Sequence, residues 1–133
     1  MTEKRRMELV LPGKTPGLFC DAVVYGELLF TSGTAPRNFD GTIFAPGDSQ
    51  AQARYLFETL EKVLAMVGST FRDVLKMTIY LRNMEDRLKI NPLRQEFFNG
   101  ARPASTVVEV SALAHPDMMV EIEMVAVARK YPE

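Results

Sequence analysis

The chain has 133 residues, of which 47% are hydrophobic and 25% are charged, a balance typical of one globular domain with a single core. We therefore expect residues 1–133 to form one domain, with residues 1–15 as a loosely held N-terminal segment. The net charge of -1 disfavours nucleic acid as a partner. No apolar run approaches the roughly 20 residues that span a bilayer, and no signal peptide is apparent, so we predict a cytoplasmic protein without a membrane partner.

The chain contains one cysteine, Cys20, and one histidine, His115. A single cysteine excludes an internal disulfide, and neither residue has the spacing of a metal-ligand motif. No motif places a histidine beside Cys20, which argues against a cysteine nucleophile. We therefore predict neither a metal nor a cofactor.

The first half of the chain predicts an edge strand, a hairpin and a helix. Residues 7–11 fit a short strand, and residues 22–32 fit a hairpin that turns at Gly26-Glu27. Residues 34–46 are predicted to be a loop. Ser49 and Gln52 have the spacing of a capping box, and an apolar stripe at helical spacing then runs to Gly68, a typical helix stop.

The second half predicts a strand over 74–81 and a less regular helix over 84–98, which Pro92 should interrupt or restart. Strands over 106–113 and 118–129 follow, joined by a turn around His115-Pro116. The resulting order, β-β-α-β-α-β-β, predicts an α+β fold in which two helices cover one face of a mixed sheet.

Alternation along the last strands predicts a second, mixed sheet face, on which Glu121 and Glu123 lie with Thr78, Tyr80 and Val107. This face could be open to water, as in many antiparallel sheets, or it could be a subunit interface with acids in pockets. The alternation leaves both interpretations open.

Six stretches in order resemble the reactive intermediate deaminase family, also called Rid or YjgF-type. They are Leu29-Phe30-Thr31-Ser32-Gly33 with Pro36, Gln52-Ala53-Arg54, Lys76 to Leu81, Asn91 with Glu96-Phe97-Phe98, Pro103-Ala104 with Thr106 to Val110, and Val120 to Ala126. The resemblance implies a chorismate-mutase-like fold and a homotrimer built around a central barrel. It also implies small-molecule clefts between subunits, and so favours the second sheet face as interface and cleft.

The resemblance further implies hydrolytic deamination of enamines or imines, for which family members use an arginine directly after Pro-Ala to bind the substrate carboxylate. Here that position is Ser105, and the tyrosine expected early in the chain is Phe19. This combination indicates a divergent branch. An arginine makes two charge-assisted bonds to a carboxylate, so its loss should weaken binding of the usual substrate by about two to four orders of magnitude.

Other positions match the family's site. Glu121 corresponds to the acidic residue that could orient or deprotonate water, and Asn91 and Gly33 correspond to residues that line the cleft. Each also has a simpler interpretation: a solvated strand carboxylate, a helix cap before Pro92 and a turn glycine. Ser105 could bind a ligand through its hydroxyl or be a plain strand residue.

Arg102 and Arg37 are candidates to replace the lost cation, although a solvated surface arginine is the simpler interpretation of each. The sequence thus leaves three functions open. The first is a deaminase with an unusual substrate, such as one of the 2-aminomuconate type. The second is a trimer that binds a metabolite without turnover, and the third and weakest is an endoribonuclease.

Overall fold

The computed structural model describes residues 5–132, which form one six-stranded mixed sheet with two α-helices on one face. The elements are β1 (Arg6–Leu9), β2 (Ala22–Tyr25), β3 (Leu28–Thr31), α1 (Ser49–Met66), β4 (Val74–Leu81), α2 (Arg87–Phe98), β5 (Ala104–Glu109) and β6 (Val120–Val127). The strand order is β1-β2-β3-β6-β4-β5, and only the pair β4–β5 is parallel. The predicted α+β fold is confirmed.

The hairpin of β2 and β3 turns at Gly26, as predicted, and the positive φ of 62° there is one that glycine adopts without strain. Residues 6–9, inside the segment that we expected to be loosely held, pair with β2 as an edge strand. Leu9 and Leu11 of that segment are buried. The remaining residues of the predicted loose terminus, 1–4, lie outside the described residues.

The predicted capping box of Ser49 and Gln52 is wrong, because helix α1 begins one residue earlier than the box implies. Asp48 is the N-cap, and its carboxylate accepts a hydrogen bond from the amide of Ala51 at 3.0 Å. Gln52 is fully buried instead of capping the helix. Its amide nitrogen donates to the carbonyls of residues 44, 45 and 117, and its oxygen accepts from Met119 N, so this side chain joins α1 to two loops.

Helix α2 runs through Pro92 without a break, contrary to the predicted interruption. A proline at this position removes the hydrogen bond to the carbonyl of Leu88 and crowds that carbonyl. Leu88 and Pro92 are both exposed, so this part of the helix faces water. Ile90 and Leu93, on the other side, are buried in the core.

The core lies between the helices and the face of the sheet that carries Ile79, Ile122 and Met124. Our placement of Val107 with Thr78 and Tyr80 is wrong, because Val107 pairs with Ile79 and packs against this core. The predicted strands over 106–113 and 118–129 are also shorter and offset, and β5 lies at the sheet edge while β6 is central. None of the helices within residues 5–132 is long and apolar enough to cross a membrane.

The buried amide of Gln52 yields a first prediction. Gln52→Leu should lower the free energy of unfolding by about 3 kcal/mol or more, because it leaves several buried polar groups without this partner. Gln50→Leu is a matched control on the same helix, since Gln50 is exposed and donates a single 3.2 Å bond to Lys89 O. The control should cost less than about 1 kcal/mol in urea titrations. Equal losses in the two variants would contradict the structural role of Gln52.

Candidate active site

The first part of the site is the contact between Gly33 and Glu121. Gly33 follows β3, and Glu121 lies in β6 on the face away from the helices. A Cβ atom at Gly33 would lie 2.5 Å from Oε2 of Glu121, so only glycine admits the carboxyl in this position. Two residues predicted separately from the sequence are thus brought into direct contact.

The electrostatic surroundings of Glu121 favour its protonated form. Burial raises the pKa of Glu121, and the charge of Glu123 on the same face raises it further. Glu123 accepts a short hydrogen bond from the Tyr80 hydroxyl, and this bond raises the pKa of Tyr80. Within residues 5–132 no hydrogen bond reaches the Glu121 carboxyl, which leaves its oxygens available to a ligand or water.

A cavity of about 240 Å³ has both Phe19 and Gly33 in its wall, together with Tyr55 and Thr59 of α1, but Glu121 does not line it. The ring of Phe19 is 69% exposed. Lys14 and Arg37 also line the cavity, but Lys14 forms an ion pair with Asp21, and Arg37 donates to Gly41 O at 2.8 Å. Arg37 is therefore engaged within its own loop.

The second part of the site lies at the sheet edge, where β5 meets α2. Nη2 of Arg94 donates a 2.8 Å hydrogen bond to Oγ of Ser105. Asn91 precedes Arg94 by three residues, and this spacing places both on the same side of α2. Arg102 is exposed in the connection to β5, and no hydrogen bond of its side chain falls within residues 5–132.

The sheet register separates these two parts within one chain. Tyr80 of β4 lies opposite Glu121, whereas Met77 lies opposite Ser105. Positions 77 and 80 are an odd number of residues apart on a strand, so they point to opposite faces. Met77 is buried beneath the helices, and Ser105 shares its face while Glu121 points to the other.

Sequence analysis identified Ser105 and Asn91 but not Arg94, which bonds Ser105 and follows Asn91 by one turn of α2. The signal was the spacing of Asn91 and Arg94 by one helical turn. The pairing of Arg94 with Ser105 could not be obtained from the sequence, because it depends on how α2 crosses the parallel pair β4–β5. Within residues 5–132, no group of three histidine, cysteine, aspartate or glutamate side chains could hold a metal ion.

The fold and this geometry define a class of α+β protein. Its sheet is covered by helices on one face and carries a carboxyl, Glu121, packed against a glycine, Gly33, on the other. The sequence profile described as Endoribonuclease L-PSP matches residues 13–128. The chain therefore belongs to this family, which includes the Rid and YjgF-type proteins.

Two relatives are similar over most of their length. A RutC family protein of Pyrococcus horikoshii is 34% identical over 113 residues, which cover 85% of this chain and 89% of the relative. The 3-aminoacrylate deaminase RutC of Acinetobacter baylyi is 33% identical over 122 residues, which cover 90% of this chain and 96% of the relative.

Solved structures of related proteins have the same fold as this chain. A member of the YjgF protein family from Neisseria meningitidis superposes with a TM-score of 0.79 at 31% identity, covering 95% of this chain and 97% of its own. A protein of unknown function of the Rid family from Yersinia pestis gives a TM-score of 0.84 at 28% identity, with coverage of 92% and 99%.

The buried carboxyl yields a second prediction, concerning Glu121→Gln. The folded chain binds the Glu121 proton more tightly than the unfolded chain, because burial raises the pKa above its ordinary value of 4.5. The resulting stabilisation of the wild type is present below pH 4.5 and is lost as the pH rises through the folded-state pKa. The variant, which has no charge to bury, should therefore melt higher than wild type at neutral pH, and the difference should shrink towards pH 4.

Thermal melts between about pH 4 and pH 8 measure this difference. Since burial is the main cause of the shift, the difference should persist in about 0.5 M salt, which screens exposed charges. A variant that is less stable than wild type at pH 8 would show that the carboxylate is stabilised in the fold.

Proposed function

We propose that the protein is a cytoplasmic homotrimeric hydrolase that deaminates an enamine or imine metabolite, with a substrate different from the usual small 2-imino acids. The observation that carries this proposal is the Glu121 carboxyl, packed against Gly33, with a raised pKa and no hydrogen bond within residues 5–132. A carboxyl in such a setting can both accept and return a proton.

In the proposed reaction, water adds to the imine carbon while Glu121 accepts one of its protons. The carbon–nitrogen double bond becomes a single bond, and the nitrogen takes up a proton from solvent. Glu121 then returns its proton to the amino group. The carbon–nitrogen bond breaks and ammonia leaves as the carbonyl forms, and the hydroxyl proton is released to solvent. An enamine enters this sequence after its carbon has been protonated. The steps balance without a cofactor.

The similarity to a 3-aminoacrylate deaminase supports the reaction class. The altered residues Ser105 and Phe19 support a different substrate, because they change the position expected to bind the carboxylate and remove a hydroxyl. An enamine of the 2-aminomuconate type, which carries two carboxylates, is one such substrate.

The face of the sheet opposite the helices supports an oligomer. Tyr25, Leu28 and Phe30 are 52%, 38% and 44% exposed, although they lie in paired strands of the sheet. They form one apolar patch with Val125 and Val127 of β6, and patches of this kind mark interaction surfaces. An oligomer can also bring the edge with Ser105 of one subunit to the open face with Glu121 of another.

A second candidate function is a trimer that binds a small metabolite without turnover. The replacement of the expected arginine by Ser105 favours it, because losing a residue that positions the substrate would lower turnover. Thermal-shift screening with 2-oxoacids and aromatic acids tests this candidate, and a flat response would count against it. The endoribonuclease activity in the family's description is the weakest candidate, since a net charge of -1 does not favour binding to the RNA backbone.

The proposed reaction predicts ammonia release from a panel of enamines generated in situ. The panel includes 2-aminomuconate and 2-aminoacrylate. Glu121→Gln should lower kcat by about 10²–10⁴-fold, the usual contribution of a general acid–base residue. Glu27→Gln, in the turn between β2 and β3, is a control that should retain activity. If the wild type releases no ammonia from any member of the panel, the catalytic proposal fails and the binding trimer gains support.

The proposed trimer predicts that Phe30→Glu yields a monomer in light scattering coupled to gel filtration. Phe30 lies between Val23 and Val125 in the apolar patch, and a buried charge there would lack a partner. Leu88→Glu is the matched control, because Leu88 is an exposed apolar residue on α2, away from this face. A Phe30→Glu protein that stays trimeric would exclude this patch as the interface.

A further inference from the structure

Arg94 is set apart from the other arginines by its partner. The other arginine side chains that form hydrogen bonds within residues 5–132 donate to carboxylate or backbone carbonyl oxygens: Arg6, Arg37, Arg54, Arg72, Arg87 and Arg129. Arg94 donates instead to the neutral hydroxyl of Ser105. No carboxylate of residues 5–132 pairs with it.

Partial burial of Arg94 without an anionic partner costs free energy. Its side chain is partly buried at the junction of α2 and β5, and burial lowers its pKa. A partly desolvated guanidinium loses hydration that one bond to a hydroxyl does not replace. Its planar group has five N–H donors, and Ser105 accepts from Nη2 alone. The remaining donors are suited to a carboxylate, which a guanidinium binds through two parallel bonds.

We propose that Arg94, held in place by Ser105, binds the carboxylate of a small organic acid at the junction of α2 and β5. The inference rests on the proposed function, because it assigns the substrate-anchoring cation of the same site. Ser105 is then a positioning residue that orients the guanidinium, and Asn91, one helical turn earlier, provides a neutral polar neighbour. Arg102 and Arg37 are not needed for this task.

The test uses pyruvate and its neutral counterpart methyl pyruvate as probes, with binding measured by ligand-observed NMR titration of the full chain. Arg94→Met keeps the apolar stem but removes the charge, and should weaken pyruvate binding about tenfold or more. Methyl pyruvate should bind the variant and the wild type equally. Arg94→Lys retains the charge without the planar fork, so its pyruvate affinity should lie between those of the wild type and Arg94→Met.

Arg87→Met is the matched control, since Arg87 lies on the same helix, is exposed and donates to the carbonyl of Met84. It should leave pyruvate affinity unchanged. An equal loss in Arg87→Met and Arg94→Met would show a general charge effect and overturn the inference. Unchanged pyruvate affinity in Arg94→Met, or no preference of the wild type for pyruvate over its ester, would overturn it as well.

A relocated guanidinium separates ligand binding from a structural role. The double variant Arg94→Ser with Ser105→Arg moves the cation from the helix to the strand, and should restore pyruvate affinity to within about threefold of wild type. If the bond between α2 and β5 is purely structural, the double variant should regain the wild-type melting temperature but not the pyruvate affinity. This result would overturn the proposal.

The ammonia assay distinguishes the two proposals. Loss of pyruvate binding in Arg94→Met, with no deamination of any enamine by the wild type, would support the carboxylate site and refute the deaminase. Deamination by the wild type, with KM unchanged in Arg94→Met, would support the deaminase and refute the carboxylate site.

Discussion

The register of the neighbouring strands β6, β4 and β5 determines which site residues share a face of the sheet. β4 lies between β6 and β5, so it fixes the face on which each of its neighbours places its side chains. Glu121 is opposite Tyr80 and Ser105 is opposite Met77, which puts the carboxyl and the hydroxyl on opposite faces of the same sheet. In the proposed oligomer, a ligand could contact both where the edge of one subunit meets the open face of another.

The carboxyl side of this arrangement is held rigidly. Thr34, next to Gly33, exchanges two hydrogen bonds with Ile122, next to Glu121, at 2.7 and 3.2 Å. The loop after β3 is thus fixed to β6 at the point where the glycine admits the carboxyl. Preorganisation of this kind avoids reorganisation when a ligand binds. Burial within the chain raises the pKa of Glu121, and the charge of Glu123 raises it further.

Sequence patterns predicted the elements well where one periodicity prevailed, as in α1, β4 and the hairpin that turns at Gly26. They failed where a side chain served tertiary structure instead of its local motif. Gln52 has capping-box spacing but is buried among loop carbonyls, and Pro92 is accommodated because its helix is open to water at Leu88. The face of Val107 was misassigned because β5 is a parallel edge strand, whose register depends on the crossover through α2 and not on its own alternation. For the candidate site, motif resemblance predicted Gly33, Glu121, Asn91 and Ser105, and these assignments stay predictions. The contact of Ser105 with Arg94 required the folded chain.

That contact changes how the serine is to be understood. A short side chain at position 105 leaves room beside the strand, and the guanidinium of Arg94 reaches this position from the helix at 2.8 Å. Moving a cation from strand to helix preserves the charge at the sheet edge while changing the direction from which it approaches a ligand. A carboxylate bound there would lie differently relative to a carboxyl on the open face, so the same pair of charges would select a substrate of different length or shape. Under the proposal made above, Ser105 is half of a rearranged anion site and not the loss of one.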